Sequence, residues 1–480
     1  MSSTDPAPAS TPRGIHGKVI AISIGAALGG FLFGFDSSVI NGAVDSIAGE
    51  FALSDTATGF AVASALLGCA VGAWFAGGLA DKLGRIRVMV ASAVVFLLSA
   101  VGSGFAFGVW DLIGWRVVGG LAIGAASVIA PAYIAEVAPA AFRGRLGSLQ
   151  QMAIVLGIFA SLLSDEVLAG AAGGASNELW LGLEAWRWMF LTAVIPALIY
   201  GGVALTLPES PRYLVERRRE KEAAAVLADY TGEPDPEHRI GLIKESLGGD
   251  EELTLSDLRG PRFGLQPIVW VGILLSVLQQ AVGINVIFYY STALWQSVGF
   301  DESDAFTTST ITSVTNIVMT LVAIALVDKV GRRSLLLTGS IGMTVSLLAM
   351  AIAFSQSTLD SAGDAQLDAP WAGIALVAAN LFVVFFAVSW GPVVWVLLGE
   401  MFPNRLRAAA LAVAAAAQWT ANFAITLTFP VMAGWGLQIA YGFYTLMAAL
   451  SFWFVLTKVP ETKGIELEDM GKVSAPGASR

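Results

Sequence analysis

Apolar residues in this chain fall into about twelve long runs separated by polar segments. Their centres lie near Leu32, Gly68, Phe96, Ile123, Ile158 and Ile195, then near Gln280, Met319, Leu347, Phe382, Ala415 and Ala448. A membrane-spanning helix needs roughly 20 such residues, so the runs predict spans. The first, from about Lys18 to Val44, exceeds the 7–15 residues of a signal-peptide core, and no cleavage signal ends it. One polar stretch, Pro208 to Gly264, divides the spans six and six. Its Glu216-Arg217-Arg218-Arg219-Glu220-Lys221-Glu222 leads into Ala223-Ala224-Ala225-Val226-Leu227, a composition that favours helix. The expected organisation is a Pro/Ser/Thr-rich disordered tail (1–17), a six-helix half (18–207), a helical linker (208–264), a second six-helix half (265–458) and a tail (459–480).

The seventh run, Ile268 to Leu294, breaks the apolar pattern most sharply. It holds Gln279, Gln280 and Asn285. An unpaired amide in hydrocarbon costs several kcal/mol, so these three must meet each other, water or a polar ligand. At about 100° per residue, Gln280 and Asn285 point roughly 140° apart on a regular helix. One face holds all three only if the helix breaks, and Gly283 is where it can. A broken membrane helix presenting amides predicts a binding site for a ligand rich in hydroxyls.

Composition narrows the alternatives. The chain has 480 residues, 56% hydrophobic and 13% charged; soluble domains carry about 25% charge. A formal charge of −10 argues against nucleic acid as a partner. The single cysteine, Cys69, excludes an internal disulfide, and His16 and His238 flank the runs, which excludes intramembrane bis-His haem. No cofactor or metal is expected, and the chain has no P-loop, so uphill work must draw on a gradient or a partner. No nucleophile–base pairing or metal set points to an enzyme. Of the 27 Lys and Arg, all but Arg116 and Arg187 lie in the tails, the linker, or the loops after runs two, four, eight and ten. The remaining loops are acidic, with Asp165, Glu166, Glu178 and Glu184 assigned to one of them. The positive-inside rule then puts both termini and the linker in the cytoplasm, which requires an even number of spans.

Three motif pairs recur in order, each displaced by about six spans. Asp81-Lys82-Leu83-Gly84-Arg85 matches Asp328-Lys329-Val330-Gly331-Arg332. Glu136, Pro139 and Arg143 match Glu400, Pro403 and Arg407. Pro208-Glu209-Ser210 matches Pro460-Glu461-Thr462. Three repeats in register indicate a parallel duplication. The signs of Asp81, Arg85, Glu136, Arg143, Glu209 and Arg212, and of Asp328, Arg332, Arg333, Glu400, Arg407 and Glu461, allow pairing, and the expected role is a network that closes the inner face. Exposed pairs contribute about 0–1 kcal/mol each, so several must act together.

With Gly34-Phe35-Asp36, Arg116-Val117-Val118-Gly119-Gly120, Pro131-Ala132-Tyr133-Ile134-Ala135-Glu136, Pro208-Glu209-Ser210-Pro211-Arg212, Trp390-Gly391-Pro392-Val393-Val394-Trp395 and Pro460-Glu461-Thr462-Lys463-Gly464, the chain resembles, over nearly its whole length, a sugar porter of the major facilitator superfamily. It is most similar to bacterial proton-coupled glucose permeases, and more distantly to xylose–proton symporters and animal glucose uniporters. The resemblance implies an all-α major facilitator fold in the cell membrane, functional as a monomer. It assigns sugar contacts to Phe33, Gln151, Gln279, Gln280, Asn285, Asn316, Trp395 and Gln418. That set is chemically apt. Carboxamides both donate and accept, matching hydroxyls without a fixed charge, and aromatic rings, with Tyr289 a further candidate, cover the C–H faces of a pyranose. Ile158, two turns beyond Gln151, stands where xylose-type relatives carry Gln, which leans toward glucose.

Asp36 and Arg116 are charges lodged within the runs, and an intramembrane charge needs a partner. They are expected to pair. The cation would favour the carboxylate and the loss of water would disfavour it, which leaves Asp36 able to exchange a proton. The resemblance implies the same role, since proton-coupled members carry this acid and uniporters lack it. The expectation is therefore monosaccharide import, D-glucose first, by proton symport, with protons, sugar and the lipid bilayer as the only partners. The alternatives are a sugar uniporter and a non-transporting sugar sensor, the latter disfavoured by the roughly twenty residues after Pro460.

Overall fold

The computed structural model describes residues 17–138, 143–249, 258–260, 264–359, 365–402 and 406–463, without the side chains at 143–145, 246–249, 328, 359, 365, 407 and 408. Among these, twelve helices are long and apolar enough to cross a membrane. In order they are Gly17–Gly42, Asp55–Leu83, Arg85–Gly104, Val109–Val137, Leu146–Ala172, Ala185–Ala204, Pro267–Tyr289, Glu302–Val327, Arg332–Phe354, Trp371–Met401, Ala409–Trp435 and Leu437–Lys458, called here spans one to twelve. Many aliphatic and aromatic side chains on their outer faces are exposed, Trp74, Val167, Val345 and Trp453 among them. That is how a bundle solvated by lipid differs from a soluble one. The start of span one, where Lys18 lies over Tyr230 of the linker, and the end of span twelve share one end of the bundle with the linker, the linker end; the opposite end is the far end.

Within the first half, span one packs on spans four and five, span two on span four, and span three on spans four and six; the second half repeats the scheme with span nine on spans ten and twelve. The halves meet where span two lies against span eleven and span five against span eight. The linker folds into short helices, Pro211–Glu216, Glu220–Val226 and Pro236–Gly249, around a small core of Leu214, Val215, Ala223, Val226, Leu227 and Ile240. It is tied to the first half by Arg217, which donates to the carbonyls of Asp81 and Lys82. Those carbonyls end span two and would otherwise lack partners.

The duplication read from the sequence is a repeated piece of helix chemistry. Span two ends and span three begins at Gly84, φ 97°; the helix that contains span eight, Glu302–Val330, ends and span nine begins at Gly331, φ 100°. Both turns need a positive φ that side chains other than glycine adopt at a cost. Glu209 accepts from the backbone N–H of Arg85 (3.0 Å) and Ile86 (3.4 Å), and Glu461 from those of Arg332 and Arg333 (3.0 Å each). In each half a carboxylate thus caps the first turn of the helix after the glycine, where free N–H groups and the helix dipole favour an anion.

Two spans are broken. Span seven stops at Ala281, passes through Gly283 (φ 84°) and restarts at Ile284. Span ten passes through a π-helical turn over Phe386–Trp390, a form that often marks functional positions. Asp165 and Glu166, assigned above to a loop, lie inside a helix that runs from Arg143 to Ala172, and Asp165 is fully buried. An isolated acid in an apolar run looked like a loop marker, whereas packing against span one hides it.

A Cβ on Gly283 would fall 2.8 Å from the Tyr444 ring, in a conformation that costs an L residue about 1–2 kcal/mol. Gly283→Ala should therefore lower the thermal unfolding midpoint of the purified protein, followed by tryptophan fluorescence, whereas Gly442→Ala, in open space, should not.

Candidate functional site

The break in span seven gathers the three amides into a chain. Gln279 donates to the carbonyls of Trp390 (2.7 Å) and Gly391 (3.2 Å) in the rewound part of span ten. Gln280 donates to Gln279 Oε1 (3.3 Å), and Asn285, beyond the break, donates to Gln280 Oε1. Gln279 and Gln280 are buried, while Asn285 is half-buried. The relay runs from a buried carbonyl anchor to an open end at Asn285, whose own carbonyl makes no hydrogen bond within it. A hydroxyl-rich ligand arriving at that end exchanges hydrogen bonds rather than creating an unpaired group.

The remaining sugar-site candidates come from both halves. Phe33 of span one stands edge-on to Trp419 of span eleven, with centroids 5.3 Å apart and planes at 89°. Gln151 is half-buried on span five and Asn316 buried on span eight. Gln418 of span eleven keeps a buried Oε1 without a hydrogen-bond partner, an acceptor ready for a donor. Tyr289 is buried, and its hydroxyl faces Ser37 of the first half and Asn422 of the second. Trp395 is 40% exposed, the least enclosed of the set. Ile158 is half-buried on span five. Trp390, Trp419 and Asn422 belong to this region and were missed as site residues. Trp390 lay in a quoted motif, but the use of its carbonyl as an acceptor for the Gln279 amide, with its indole N–H donating to Leu336 O and Ser340 Oγ, depends on the rewound helix.

At the far end the halves are joined directly. Asn41, just past the helical part of span one, donates to Ser291 Oγ (3.3 Å) and Thr292 Oγ1 (3.1 Å) and accepts from the Thr292 N–H (3.1 Å). Glu302 accepts from the Ala175 N–H and Glu166 from Thr307, both at 2.8 Å. Span two meets span eleven closely enough that a Cβ on Gly59 would lie 2.3 Å from Leu427 O.

A family model described as sugar (and other) transporter matches residues 22–473. The chain belongs to this family. It is 55% identical to the glucose transport protein of Synechocystis sp. over 94% of this chain and 97% of that one. It is 36% identical to the D-xylose-proton symporter of Escherichia coli K12 over 95% and 96%. Among solved structures it is similar to a partially occluded inward-open conformation of the E. coli xylose transporter, with a TM-score of 0.81 at 34% identity, covering 94% of this chain and 100% of that one. The fold is thus that of a major facilitator, and this sugar transporter is a multi-pass membrane protein whose relatives are transporters rather than enzymes.

One expectation about charge needs correction in this transporter. Asp36 and Arg116 are both buried and line one small pocket with Phe33, Cys69, Ile123 and Tyr289, but they form no salt bridge. The guanidinium lies 5.7 Å over the Phe190 ring, and its Nε and Nη1 have no hydrogen-bond partner. Both charges line a cavity of about 10 Å³, close to the smallest volume that holds one water. They are attracted rather than locked together.

The motif charges are expected to close the inner face when the far end is open, which is not the state described here. The described pairs all stay within one half. Arg85 binds Glu136 through Nε (3.1 Å) and Nη2 (2.9 Å) and also meets Asp81 (3.2 Å); Arg332 binds Glu400 through the same two nitrogens (3.0 and 2.8 Å). Glu209 and Glu461 cap helices in their own halves. These residues brace each half rather than clasp the two together in this state. Each bidentate pair closes over a few ångströms along one half, and its geometry is satisfied without the other half. The side chains of Arg143, Asp328 and Arg407 lie outside the described residues.

Asn41 makes three neutral hydrogen bonds across the halves. Asn41→Ala should shift the equilibrium toward a far-end-open state by about 1–3 kcal/mol, roughly 5- to 150-fold. Labelling of a far-end cysteine by an impermeant thiol reagent reads this shift, and unchanged labelling would show that the three bonds do not hold the far end shut.

Proposed function

We propose that this sugar transporter imports a monosaccharide, D-glucose first, together with protons, by alternating access between its two halves. The observation that carries the reading is the amide relay anchored on Trp390 and Gly391 and ending at Asn285. It offers neutral donors and acceptors, between aromatic rings, at the level where the halves meet. An apolar cargo would leave those amides unpaired. The apolar Ile158 and the 55% identity to a glucose transport protein favour glucose over a pentose. Proton coupling rests on Asp36, a buried acid beside a pocket shared with Tyr289 of the sugar region, and on similarity to proteins named as proton symporters.

The basic residues put the linker end in the cytoplasm and the far end outside, with both termini inside, in the plasma membrane. The state described here, joined at the far end, is then the one that gives sugar to the cytoplasm. In the opposite state Asp36 takes a proton from outside, its attraction to Arg116 falls, and sugar binds at the relay. The halves rock and the far-end contacts form. Coupling requires that proton and sugar each bind one state better than the other. No resident cofactor takes part, and one chain contains the whole route.

Labelled glucose uptake into proteoliposomes, with and without an imposed inward proton gradient and in competition with xylose, galactose and mannose, tests both claims. The expected result is gradient-driven accumulation, competed least by xylose. Asp36→Asn should keep counterflow exchange and lose accumulation. Uptake that only equilibrates, regardless of the gradient, would make the protein a uniporter.

A further inference from the structure

Asp165 has no place in the route above. It lies in span five toward the far end, is fully buried, and neither carboxyl oxygen has a hydrogen-bond partner. Among the described residues Asp36 and Asp165 are the only buried acids. A Cβ on Gly42 would fall 2.9 Å from Asp165 Cβ and 3.0 Å from its Cγ, so the carboxyl is pressed against the turn that ends span one. The Gly42 N–H is directed at it but falls short of hydrogen-bond geometry.

The charged groups on the surrounding elements are engaged elsewhere. Arg187 of span six is held by Glu50 (2.5 Å), Glu184 (2.7 Å) and the Ala106 carbonyl. Arg116 of span four lies over Phe190, beside a pocket it shares with Asp36 of span one, and Asp111 accepts from the Phe107 N–H. On span eight Glu302 binds the Ala175 N–H, and Asp304 is exposed at the surface, as is Glu178. The Asp45 carboxyl, just past span one, has a pKa pushed up to about 6 by loss of water and by Glu302 of the other half. Among the described residues no cation compensates a charge at Asp165, and such a charge in a buried, unpartnered setting is strongly disfavoured. The neutral acid is the form this setting accommodates.

The position gives that proton a consequence. Glu166, the next residue, accepts from Thr307 of the other half. Gly42, the turn on which Asp165 rests, adjoins Asn41, which binds Ser291 and Thr292 of the other half. Asp165 therefore sits within one residue of two of the links that close the far end.

We propose that Asp165 is a second proton-binding carboxyl, occupied when the halves meet at the far end and emptied when they part. Closure pins the Asn41–Gly42 turn over Asp165, which keeps the carboxyl dry and holds one proton on it; opening frees that turn, admits water and releases the proton. By linkage, acid favours closure. The reading holds whether or not Asp36 couples protons to sugar, and its test removes Asp36.

The full chain in lipid nanodiscs, carrying Asp36→Asn and, in every sample, Asp45→Asn to remove the other far-end carboxyl that titrates near neutrality, retains one buried acid among the described residues. Infrared spectra at neutral pH should show the C=O stretch of a protonated carboxylic acid, and that band should be absent when Asp165→Asn is added. Spin labels on cysteines at Thr56 and Gln438, exposed far-end positions in opposite halves, report opening in a Cys69→Ser background. In Asp36→Asn protein the open-to-closed ratio should rise with pH, by at most tenfold per unit for one proton, and it should be flat once Asp165→Asn is added. An absent acid band in Asp36→Asn protein overturns the proposal without need of the double variant. So does a band, or a pH response, that survives Asp165→Asn.

Discussion

Polar groups in an apolar bundle have no water to fall back on, and the arrangement of this transporter follows from that constraint. Three amides in span seven would each cost several kcal/mol if left alone. The helix breaks at Gly283, span ten rewinds at Phe386–Trp390, and the amides become donors to two carbonyls and to one another. Such a relay is a resting arrangement for a sugar site rather than an argument against one. A sugar hydroxyl that displaces Asn285 from Gln280 exchanges one hydrogen bond for another, so binding and release both stay accessible. A set of amides with no partners would hold sugar too tightly to let it go, and a set fully committed to the backbone would not bind it.

The same accounting separates the halves from the boundary between them. Inside each half the polar links are charge-assisted: Arg85 with Glu136, Arg332 with Glu400, and Glu209 and Glu461 on helix N-termini. Such bonds contribute about 1.5–3 kcal/mol each, against 0.5–1.5 for neutral ones. Across the halves the far end is held chiefly by neutral amides and hydroxyls, with Glu302 and Glu166 as acceptors at the rim. The weaker set is the one that must break in every cycle. Placing the strong pairs inside the halves lets them move as bodies while the contacts between them remain reversible.

How much of this could be read from the chain follows the range of the forces involved. The twelve spans, the break at Gly283 and the three repeated motif pairs are local patterns, and the structure reproduces them as helices, a positive φ and matched helix caps. The gathering of Gln279, Gln280 and Asn285 was legible because a single constraint forces it. The partners were not. Arg85 and Arg332 have signs that allow pairing in many ways, and only packing decides that each stays in its half. Asp36 and Arg116 were paired on the rule that buried charges need counter-charges, yet they stop short of contact across a pocket. Trp419 and Asn422 carried no signal against the apolar background of span eleven until spans one and seven were laid against it.

The gap between Asp36 and Arg116 is better suited to coupling than the closed pair would have been. Two buried charges in contact attract strongly in a low-dielectric interior, and removing one is costly, so a closed pair tends to persist unchanged through a cycle. Without a salt bridge to Arg116, and with both groups lining one small cavity, the carboxyl feels the cation without being committed to it. Its proton can then be exchanged at a cost that a conformational change can supply. Cys69 of the first half and Tyr289 of the second line the same pocket, and the Tyr289 hydroxyl reaches toward both Ser37 of the first half and Asn422 of its own. The pocket thus touches the sugar region directly, and a change of charge at Asp36 is felt where the halves meet without any longer route through the bundle.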